Sequence, residues 1–345
     1  MKTQNSIKLF GLITAISLFA FSCDSSDDSD DQNPPTSSTK LFTSNNVDGN
    51  ITYYDVTDMD NITTTTLLTT SLAADGVFYD ANEDVLLQAS RTGFNLEAFT
   101  GISVLPTNSS ITATLIGTVD MQSPRETAVK GNIVVVADNA DVDGDMNTLD
   151  GRFFVYESDG TAFNLRNTIT TDFKVWGITF IGNDLYAVVD ADNELAVFTN
   201  FLNNTSDATL SASKRVVIEG ITRTHGLTFD STSDTMVMTD IGDAGNTQDD
   251  GAFHVISNFT TKFNAVADGG TLAVSDQVRV AGASTLLGNP VDVAYDSSTS
   301  TVFIAEAGNG GGRILAFNNI GSGGDLTPVI NNSLSGASSV YLSKE

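Results

Sequence analysis

The chain has 345 residues, of which 40% are hydrophobic, and a formal net charge of −27 at pH 7. Proteins bind nucleic-acid phosphates through clustered Lys and Arg, and the chain has only 16 such residues, so the charge excludes a nucleic-acid partner. The single cysteine, Cys23, excludes intramolecular disulfides and a cysteine-based metal cluster.

The first 22 residues have the pattern of a secretory signal peptide. Lys2 and Lys8 precede an apolar run from Leu9 to Phe21, which is too short to cross a hydrocarbon core of about 30 Å as a helix. The segment Ala20-Phe21-Ser22-Cys23 resembles a bacterial lipobox, in which signal peptidase cuts before the cysteine and the thiol is lipidated. The resemblance implies an outer-membrane lipid anchor at Cys23, and an ordinary secretory signal is the alternative.

Residues 23–39 predict an acidic, disordered tether. Asp and Ser alternate from Asp24 to Asp31, and a polar stretch with two prolines continues to Thr39, so the segment lacks the apolar material of a core. It resembles the acidic segment behind the cysteine in surface-exposed lipoproteins of Bacteroidetes-type bacteria. The resemblance implies exposure on the cell surface. The protein is expected to be a monomer that touches the membrane only through its lipid.

Residues 40–345 repeat one phrase, in which a leading residue and usually a small residue precede an apolar-x-apolar strand. The spacing is roughly 50 residues, with one wider gap of about 65, which is the period of a propeller blade. Six copies predict an all-β, six-bladed β-propeller. The copies are Asp75-Gly76-Val77-Phe78-Tyr79, Arg125-Glu126-Thr127-Ala128-Val129, Trp176-Gly177-Ile178-Thr179-Phe180, His225-Gly226-Leu227-Thr228-Phe229, Val291-Asp292-Val293-Ala294-Tyr295 and Ser338-Ser339-Val340-Tyr341-Leu342.

The two ends of the chain are predicted to share one blade. Lys40–Ser44 and Ile51–Val56 match the second and third strands of a blade, but no first strand precedes them. Ser338–Leu342 supplies the missing strand from the other terminus. Such closure leaves no free sheet edge between the first and last blades.

The last complete blade resembles an NHL repeat. The resemblance rests on Asn289–Asp296, Thr301–Asn309 and Arg313–Phe317, which follow the order Pro, apolar alternation, Asp, a strand ending near Gly-Asn, and Arg-Ile-x-x-Phe. Asp292 stands where the repeat usually has Gly. The resemblance implies a propeller, and NHL-like propellers include both binding scaffolds and enzymes.

The start of each innermost strand is expected to line the central mouth of the propeller. Trp176 would supply a stacking wall and Arg125 a fixed cation, while the acids and His225 would act as ligands or general bases. Channel filling by satisfied polar residues and water is the alternative. The predicted mouth residues are Asp75, Arg125, Trp176, His225, Val291 and Ser338, followed one step further on by Glu126, Asp292 and Ser339.

Two of these phrases, at Asp75 and His225, are similar to metal-ligand phrases of the SMP-30/gluconolactonase family. In that family an Asn or Asp before Gly-apolar-x-apolar binds a divalent cation that activates water or polarises a lactone carbonyl. The resemblance implies a second divalent cation in the mouth, held by Asp75 and His225. His225 occupies the place at which that family has Asn.

A calcium loop is predicted between residues 139 and 150. Oxygen-bearing residues recur at the spacing of such loops, and Gly144 stands where the chain must turn sharply. The substitutions at the first and last positions predict a weak site, with Kd about 10⁻⁴ to 10⁻³ M. A solvated acidic hairpin loop is the alternative. The predicted ligands are Asn139, Asp141, Asp143, Asp145, Asn147 and Asp150.

Common catalytic motifs are absent from the sequence. It contains no Gly-x-Ser-x-Gly elbow, His-Glu-x-x-His helix, Walker loop or Rossmann fingerprint, which disfavours the usual hydrolases, zincins and nucleotide-binding proteins. The sequence therefore predicts a surface-anchored propeller that binds a ligand, glycan or envelope protein and is stabilised by calcium. A metal-dependent lactone or ester hydrolase of the SMP-30 type is the alternative.

Overall fold

Six sheets surround a central axis in the computed structural model, which describes residues 38–145 and 147–345. The innermost strands of neighbouring sheets contact one another in a closed ring, so each sheet is one blade of a six-bladed β-propeller. The predicted signal peptide, Cys23 and most of the tether lie outside the described residues. None of the helices in the described ranges is long and apolar enough to cross a membrane.

The strands are numbered in chain order, and the composition of each blade runs from its innermost strand outward. Blade 1 contains β26 (Ala337–Lys344), β1 (Thr39–Asn45), β2 (Ile51–Asp55) and β3 (Thr63–Leu67). Blade 2 contains β4 (Ala74–Asp80), β5 (Val85–Ser90), β6 (Asn95–Thr100) and β7 (Leu115–Ile116). Blade 3 contains β8 (Pro124–Lys130), β9 (Ile133–Asp138), β10 (Gly151–Ser158), β11 (Phe163–Thr171) and β15 (Ala208–Thr209).

The remaining three blades complete the ring. Blade 4 contains β12 (Val175–Ile181), β13 (Asp184–Val189), β14 (Glu194–Phe198), β16 (Lys214–Ile218) and β20 (Thr271–Leu272). Blade 5 contains β17 (Leu227–Asp230), β18 (Thr235–Asp240), β19 (Ala252–Ser257) and β21 (Val278–Ala281). Blade 6 contains β22 (Pro290–Asp296), β23 (Thr301–Glu306), β24 (Arg313–Phe317) and β25 (Ile330–Ser333). Short helices are α1 (Phe259–Ala265) and five 3-10 turns, Phe201–Asn203, Val274–Asp276, Ala283–Thr285, Asn309–Gly311 and Ile320–Ser322.

The predicted closure by the C-terminal strand is confirmed. Strand β26 pairs antiparallel with β1, so that Leu41 lies opposite Leu342 in the register. The first and last strands of the described chain thus share one sheet, and no inner edge is left unpaired between blades 1 and 6.

The wide gap in the repeat spacing is an insertion in blade 5. Between β19 and β21 the chain forms α1 and then β20, which leaves its own blade and pairs in parallel with β16 of blade 4. Strand β15 makes the same kind of parallel contact with β11 of blade 3. These connections seal the outer edges of two blades, a feature that the repeat pattern did not predict.

Apolar side chains fill the spaces between neighbouring blades, as expected for a propeller without a separate core. Phe153 of blade 3, for example, packs edge-on against Phe198 and Phe201 of blade 4. Each face of a blade is therefore buried by its neighbour, which explains why the strands are apolar on both sides.

Glycines narrow the central channel near the end at which the inner strands begin. A Cβ atom at Gly76, Gly177 or Gly226 would lie 2.5 Å from backbone atoms of the next inner strand. The Gly177 N–H donates a 2.9 Å hydrogen bond to the His225 carbonyl, so the chain segments that begin two inner strands touch directly there. We call the end at which inner strands begin the loop face, and the end at which they turn back the hairpin face.

A carboxylate at the end of the second strand ties down the loop that enters the inner strand in three blades. Asp138, Asp240 and Glu306 occupy this position, and each is buried. Each accepts backbone hydrogen bonds from that loop, so their role is structural. The donors are Gln122 and Ser123 for Asp138, Thr222 and Arg223 for Asp240, and Gly288 and Asn289 for Glu306.

Candidate functional site

Three side chains from consecutive blades stack across the axis at the loop face. The guanidinium carbon of Arg125 lies 4.2 Å from the ring centroid of Trp176. The Trp176 ring lies in turn 3.8 Å from that of His225, with an interplanar angle of 6°. These three residues, which we call the plug, stand at the beginning of the inner strands of blades 3, 4 and 5, and they combine cation–π and ring stacking.

Carboxylates hold the plug at both ends. Asp75 lies 3.5 Å from Arg125 and 3.4 Å from Arg91. At the other end, Asp190 lies 3.1 Å from Nε2 of His225 and 2.7 Å from Arg223. The plug is therefore the middle of one row, in which the Asp75–Arg125 ion pair is followed by the stacked rings of Trp176 and His225 and then by Asp190.

Burial and these contacts determine the charge states of the plug. Burial raises the pKa of Asp75, although Arg125 and Arg91 oppose the rise. Burial also lowers the pKa of His225 below 6.5, against the attraction of Asp190. Burial acts to raise the pKa of Asp190, but hydrogen bonds from His225 and Asn139 and the charge of Arg223 outweigh it and hold the pKa below its usual range. His225 is thus a neutral ring near pH 7, stacked beside an ionised Asp190.

The predicted open mouth is closed at this level. Asp75, Arg125, His225, Val291 and Ser338 are all buried, and only Trp176 among the first positions is half-buried. The Ser338 hydroxyl donates to the Ala74 carbonyl at 2.6 Å and so is also occupied. The residues predicted to ring a mouth instead pack and pair with each other, because the adjacent glycines draw the inner strands together.

Asp75 and His225 do not face a common position for a metal. Arg125 and Trp176 lie between them in the row, and two guanidinium groups already neutralise Asp75. A divalent cation beside Asp75 would be repelled by both arginines. Within the described ranges, neither residue belongs to a group of three or more potential metal ligands.

Below the plug, a cavity of about 350 Å³ occupies the rest of the channel. All six inner strands contribute to its wall. Five aromatic residues near the hairpin face line it and are half-buried: Phe78, Phe180, Phe229, Tyr295 and Tyr341. Because the plug and the glycines close the channel at the loop face, the cavity is accessible only from the hairpin face.

Two carboxyl groups meet at the inner end of this cavity. Glu126 comes from blade 3 and Asp292 from blade 6, the opposite side of the ring, and we call them the floor pair. The hydroxyl of Ser339 donates to Asp292 at 2.8 Å and lies 3.3 Å from Glu126. In the described part of the chain, no Lys or Arg forms an ion pair with either carboxyl group.

The floor pair favours protonation. Burial, and then the neighbouring charge of Asp292, raise the pKa of Glu126 well above its ordinary value. Burial raises the pKa of Asp292 to about 6, although backbone N–H groups donate hydrogen bonds to it. Ionising both of two carboxyl groups in contact costs free energy, because the two negative charges repel each other. The pair therefore retains a proton near neutral pH.

Glu126 and Asp292 were expected in a mouth on the loop face, but they belong to the cavity. The inner strands of blades 2, 3, 4 and 6 carry a register irregularity around the second repeat position, for example between Pro124 and Thr127. Such a bulge redirects side chains. Three of the six second positions are glycines, and the floor pair and Ser339 fill the remaining three.

The predicted calcium loop brings three of its six proposed ligands together. Carboxylate oxygens of Asp141, Asp143 and Asp150 lie within 4.8 Å of one another. Gly144 turns the chain with φ of 75°, as the loop spacing requires. The amide of Asn139 points elsewhere, since it donates to Asp190 at 2.9 Å and to the Val175 carbonyl.

The other two proposed ligands stay apart from this cluster. Asp145 accepts hydrogen bonds from the backbone and side chain of Asn147, at 3.0 and 2.7 Å. Asn139 lies outside the carboxylate cluster, and its hydrogen bond to Asp190, the partner of His225, links the loop to the plug. The second histidine, His254, is fully buried and hydrogen-bonded to Gln277 at 2.8 Å, away from both sites.

A second concavity of about 470 Å³ lies between blades 2 and 3 on the hairpin face. Its wall is mainly apolar and includes Leu87, Leu115, Val134 and Phe163. The carboxylates that line it, Asp80 and Glu83, both come from one hairpin turn of blade 2, whereas the floor pair converges from opposite blades. The central cavity is therefore the better candidate site.

Three charged residues around the plug, Asp190, Arg91 and Arg223, were not expected from the sequence. Asp190 follows the second strand, in the register of Asp138 and Asp240, and nothing in a single sequence distinguishes it from those loop anchors. It departs from them because it bonds to side chains of blades 3 and 5. Arg223 stands two residues before His225, and this proximity was the available signal.

Comparisons with known proteins extend only to the fold. No protein-family model matches the chain, and no curated protein is similar to it. A chain from a crystal structure of the nidogen/laminin complex superposes with TM-score 0.59 at 13% identity, covering 88% of this chain and 98% of that one. A protein of unknown function from Bacteroides caccae gives TM-score 0.55 at 10% identity, with coverage of 88% and 98%. Both similarities support a β-propeller fold.

Proposed function

We propose that this protein is a binding module that holds a small ligand in the central cavity, on the hairpin side of the plug. The observation that carries the proposal is the floor pair, because Glu126 and Asp292 are two ionisable groups without cationic partners in the described chain, at the end of a 350 Å³ cavity. A cavity in which a few polar groups converge beside aromatic and aliphatic side chains is the usual form of a small-molecule site.

The cavity is large enough for a ligand rather than for water alone. Its volume corresponds to about twelve water molecules at the packing of the liquid, or to one small aromatic or aliphatic compound. The half-buried rings of Phe180, Phe229 and Tyr295 would cover the apolar part of such a compound. The carboxyl groups would then fix its orientation.

The arrangement supports binding over metal-dependent hydrolysis. The hydrolase alternative required Asp75 and His225 to share a cation, whereas both are engaged in the plug. The floor pair offers two carboxyl groups and one hydroxyl, but no histidine.

We also propose that the module is anchored at the cell surface through a lipid on Cys23. The support is the residue pattern: a short apolar run, a small residue before the cysteine and an acidic segment behind it. Metabolic labelling with a fatty-acid analogue tests this, with Cys23→Ser as the variant. Incorporation into the wild type that persists in Cys23→Ser would disprove lipidation at this residue.

A calcium ion bound by Asp141, Asp143 and Asp150 is proposed as a structural partner of the loop. Three carboxylates within 4.8 Å repel one another unless a cation lies between them. Because Asn139 bridges this loop to Asp190, order in the loop would support the plug.

Filling the cavity tests the proposed ligand site. Thr228 lines it in blade 5, and Thr228→Phe would occupy the space, whereas Thr228→Val keeps the volume. A fragment mixture of amines, acids and neutral aromatics, followed by ligand-observed NMR, should show binders to the wild type and Thr228→Val that Thr228→Phe loses. Identical binding by all three proteins, or no binder to the wild type, would contradict the proposal.

A further inference from the structure

Closing the channel with the floor pair is energetically unfavourable. Neighbouring inner strands close the channel with Gly76, Gly177 and Gly226, which place no ionisable group there. At Glu126 and Asp292 the chain instead places two acids where a glycine or serine would fit the repeat. Asp292 is buried and Glu126 is half-buried. Withdrawing carboxyl groups from water without cationic partners costs free energy, which points to a use beyond packing.

The aromatic wall and the acidic floor are complementary to one kind of ligand. Ring faces attract cations through their quadrupole, and desolvated carboxylates attract them by charge. Phe78 and Tyr341 already pack together at 4.9 Å between centroids near the hairpin face, and Phe180 and Phe229 continue the wall. A neutral ligand would leave the floor pair unpaired, and an anion would be repelled by it.

We propose that the central cavity binds an organic ammonium ion, whose charged nitrogen lies against Glu126 and Asp292 and whose apolar body lies among Phe180, Phe229 and Tyr295. The inference rests on the proposed function, because it names the chemical class of the ligand for the same cavity. The net charge of −27 would raise the local concentration of such a cation around the protein.

The nitrogen replaces the proton that the floor pair otherwise shares. An ammonium ion entering the site keeps its own three protons, and the pair releases one proton to solvent, so charge is conserved. The other charges near the pair are Asp75, which lies beyond the glycines with Arg91 and Arg125, and Asp230 toward the hairpin face. Neither contacts the floor pair, so the released proton comes from Glu126 or Asp292.

The experiment compares three probes of one shape: benzylamine, benzyl alcohol and benzoate. Isothermal titration calorimetry on the protein should give a Kd for benzylamine at least about tenfold below that for benzyl alcohol, with no detectable binding of benzoate. Glu126→Gln should weaken benzylamine by about tenfold or more and leave benzyl alcohol unchanged. Glu157→Gln, which removes the same charge from the exposed surface of blade 3, should change neither.

Proton release distinguishes an ammonium site from a general apolar pocket. Near pH 6, the pKa to which burial raises Asp292, the heat of benzylamine binding should vary with the ionisation enthalpy of the buffer. That dependence should weaken in Glu126→Gln, in which only Asp292 remains to release a proton. Thr228→Phe, which leaves the floor pair intact, should abolish benzylamine binding and thus locate it in the cavity.

Two results would overturn the inference. If benzyl alcohol binds as tightly as benzylamine, or Glu126→Gln binds benzylamine like the wild type, the cavity does not select cations. The proposed function survives that result whenever Thr228→Phe still abolishes binding of the fragments. If none of the three probes binds, the ammonium proposal fails, and the fragment experiment alone decides whether the cavity binds any ligand.

Discussion

The indole ring of Trp176 lies parallel to the imidazole ring of His225, with centroids 3.8 Å apart. Trp176 is the only tryptophan in the chain, so its fluorescence reports on the plug alone. A neutral imidazole in this position makes a stacking contact, whereas a protonated imidazole quenches the indole. The fluorescence therefore measures the charge state of His225.

We expect this fluorescence to stay constant from about pH 8 down to the ordinary histidine pKa of 6.5, and to fall only below it. The reason is that burial lowers the pKa of His225 more than Asp190 raises it. His225→Gln should remove the acidic transition, and His254→Gln, which changes the only other histidine, should keep it. A transition centred at 6.5, or one that persists in His225→Gln, would contradict the neutral plug.

Removing one member of the plug should destabilise the protein strongly. Arg125→Met takes away a buried partner of Asp75, and breaking a buried ion pair costs about 3–5 kcal/mol. Arg91 remains beside Asp75, so we expect the lower end of that range, measured by denaturant unfolding. Arg215→Met, which breaks a more exposed pair with Glu194, should cost about 1 kcal/mol or less. Equal losses in the two variants would mean that the plug is not a stabilising element.

The repeat determines most of the fold, because alternating apolar residues at a constant period leave few alternatives for six short inner strands. Leu41 and Leu342 could be assigned to one sheet because a blade without a first strand must find it elsewhere. The insertion after Ser257 could not be predicted as a helix that donates β20 to the preceding blade, since its local pattern carries no information about its partner.

The candidate site was predicted in part. Most of the residues expected at the centre belong to the plug or line the cavity, whereas Val291 packs in the apolar core between blades 1 and 6. The sequence does not show the bulges that separate Arg125 from Glu126. One side chain faces the plug and the other faces the cavity, although they are adjacent in the chain. Pairing between blades, such as that of Asp190 with His225, depends on distances that one sequence does not encode.

Hydrolysis should be undetectable at the plug. With a panel of small lactones and esters, we expect no turnover that returns when calcium, manganese or zinc replaces a chelator, because two arginines already neutralise Asp75. Circular dichroism would confirm that the protein tested is folded. Metal-dependent turnover that disappears in both Asp75→Ala and His225→Ala would instead support a hydrolase of the SMP-30 type.

Calcium should raise the melting temperature of the protein through the loop that contains Asp141, Asp143 and Asp150. For a Kd of about 10⁻⁴ to 10⁻³ M, calcium at about 10 mM stabilises the folded state by about 1.4–2.7 kcal/mol. Asp143→Asn should lose this increase, whereas Asp243→Asn, in the corresponding loop of blade 5, should retain it. The calcium site is wrong if Asp143→Asn is stabilised as much as the wild type.

The floor pair should make stability depend on pH in a direction opposite to that of most carboxylates. The pKa of Glu126 and that of Asp292 are raised by burial in the folded state, to about 6 for Asp292. The folded protein thus binds more protons than the unfolded chain. The stabilisation from these groups is complete below their unfolded pKa values, 4.5 and 3.8, and is lost as the pH rises through the folded values.

Glu126→Gln isolates this contribution, because the glutamine oxygen can still accept the hydrogen bond from the Thr127 N–H but cannot ionise. We expect the variant to gain stability relative to the wild type as the pH rises from about 5 to about 8, by on the order of 2 kcal/mol. Thermal unfolding across this range measures the difference. Glu157→Gln removes an exposed charge and should give a difference independent of pH. A flat difference for Glu126→Gln would mean that the floor pair ionises like ordinary surface carboxylates, and the cavity would then lack the buried acid that its proposed ligand requires.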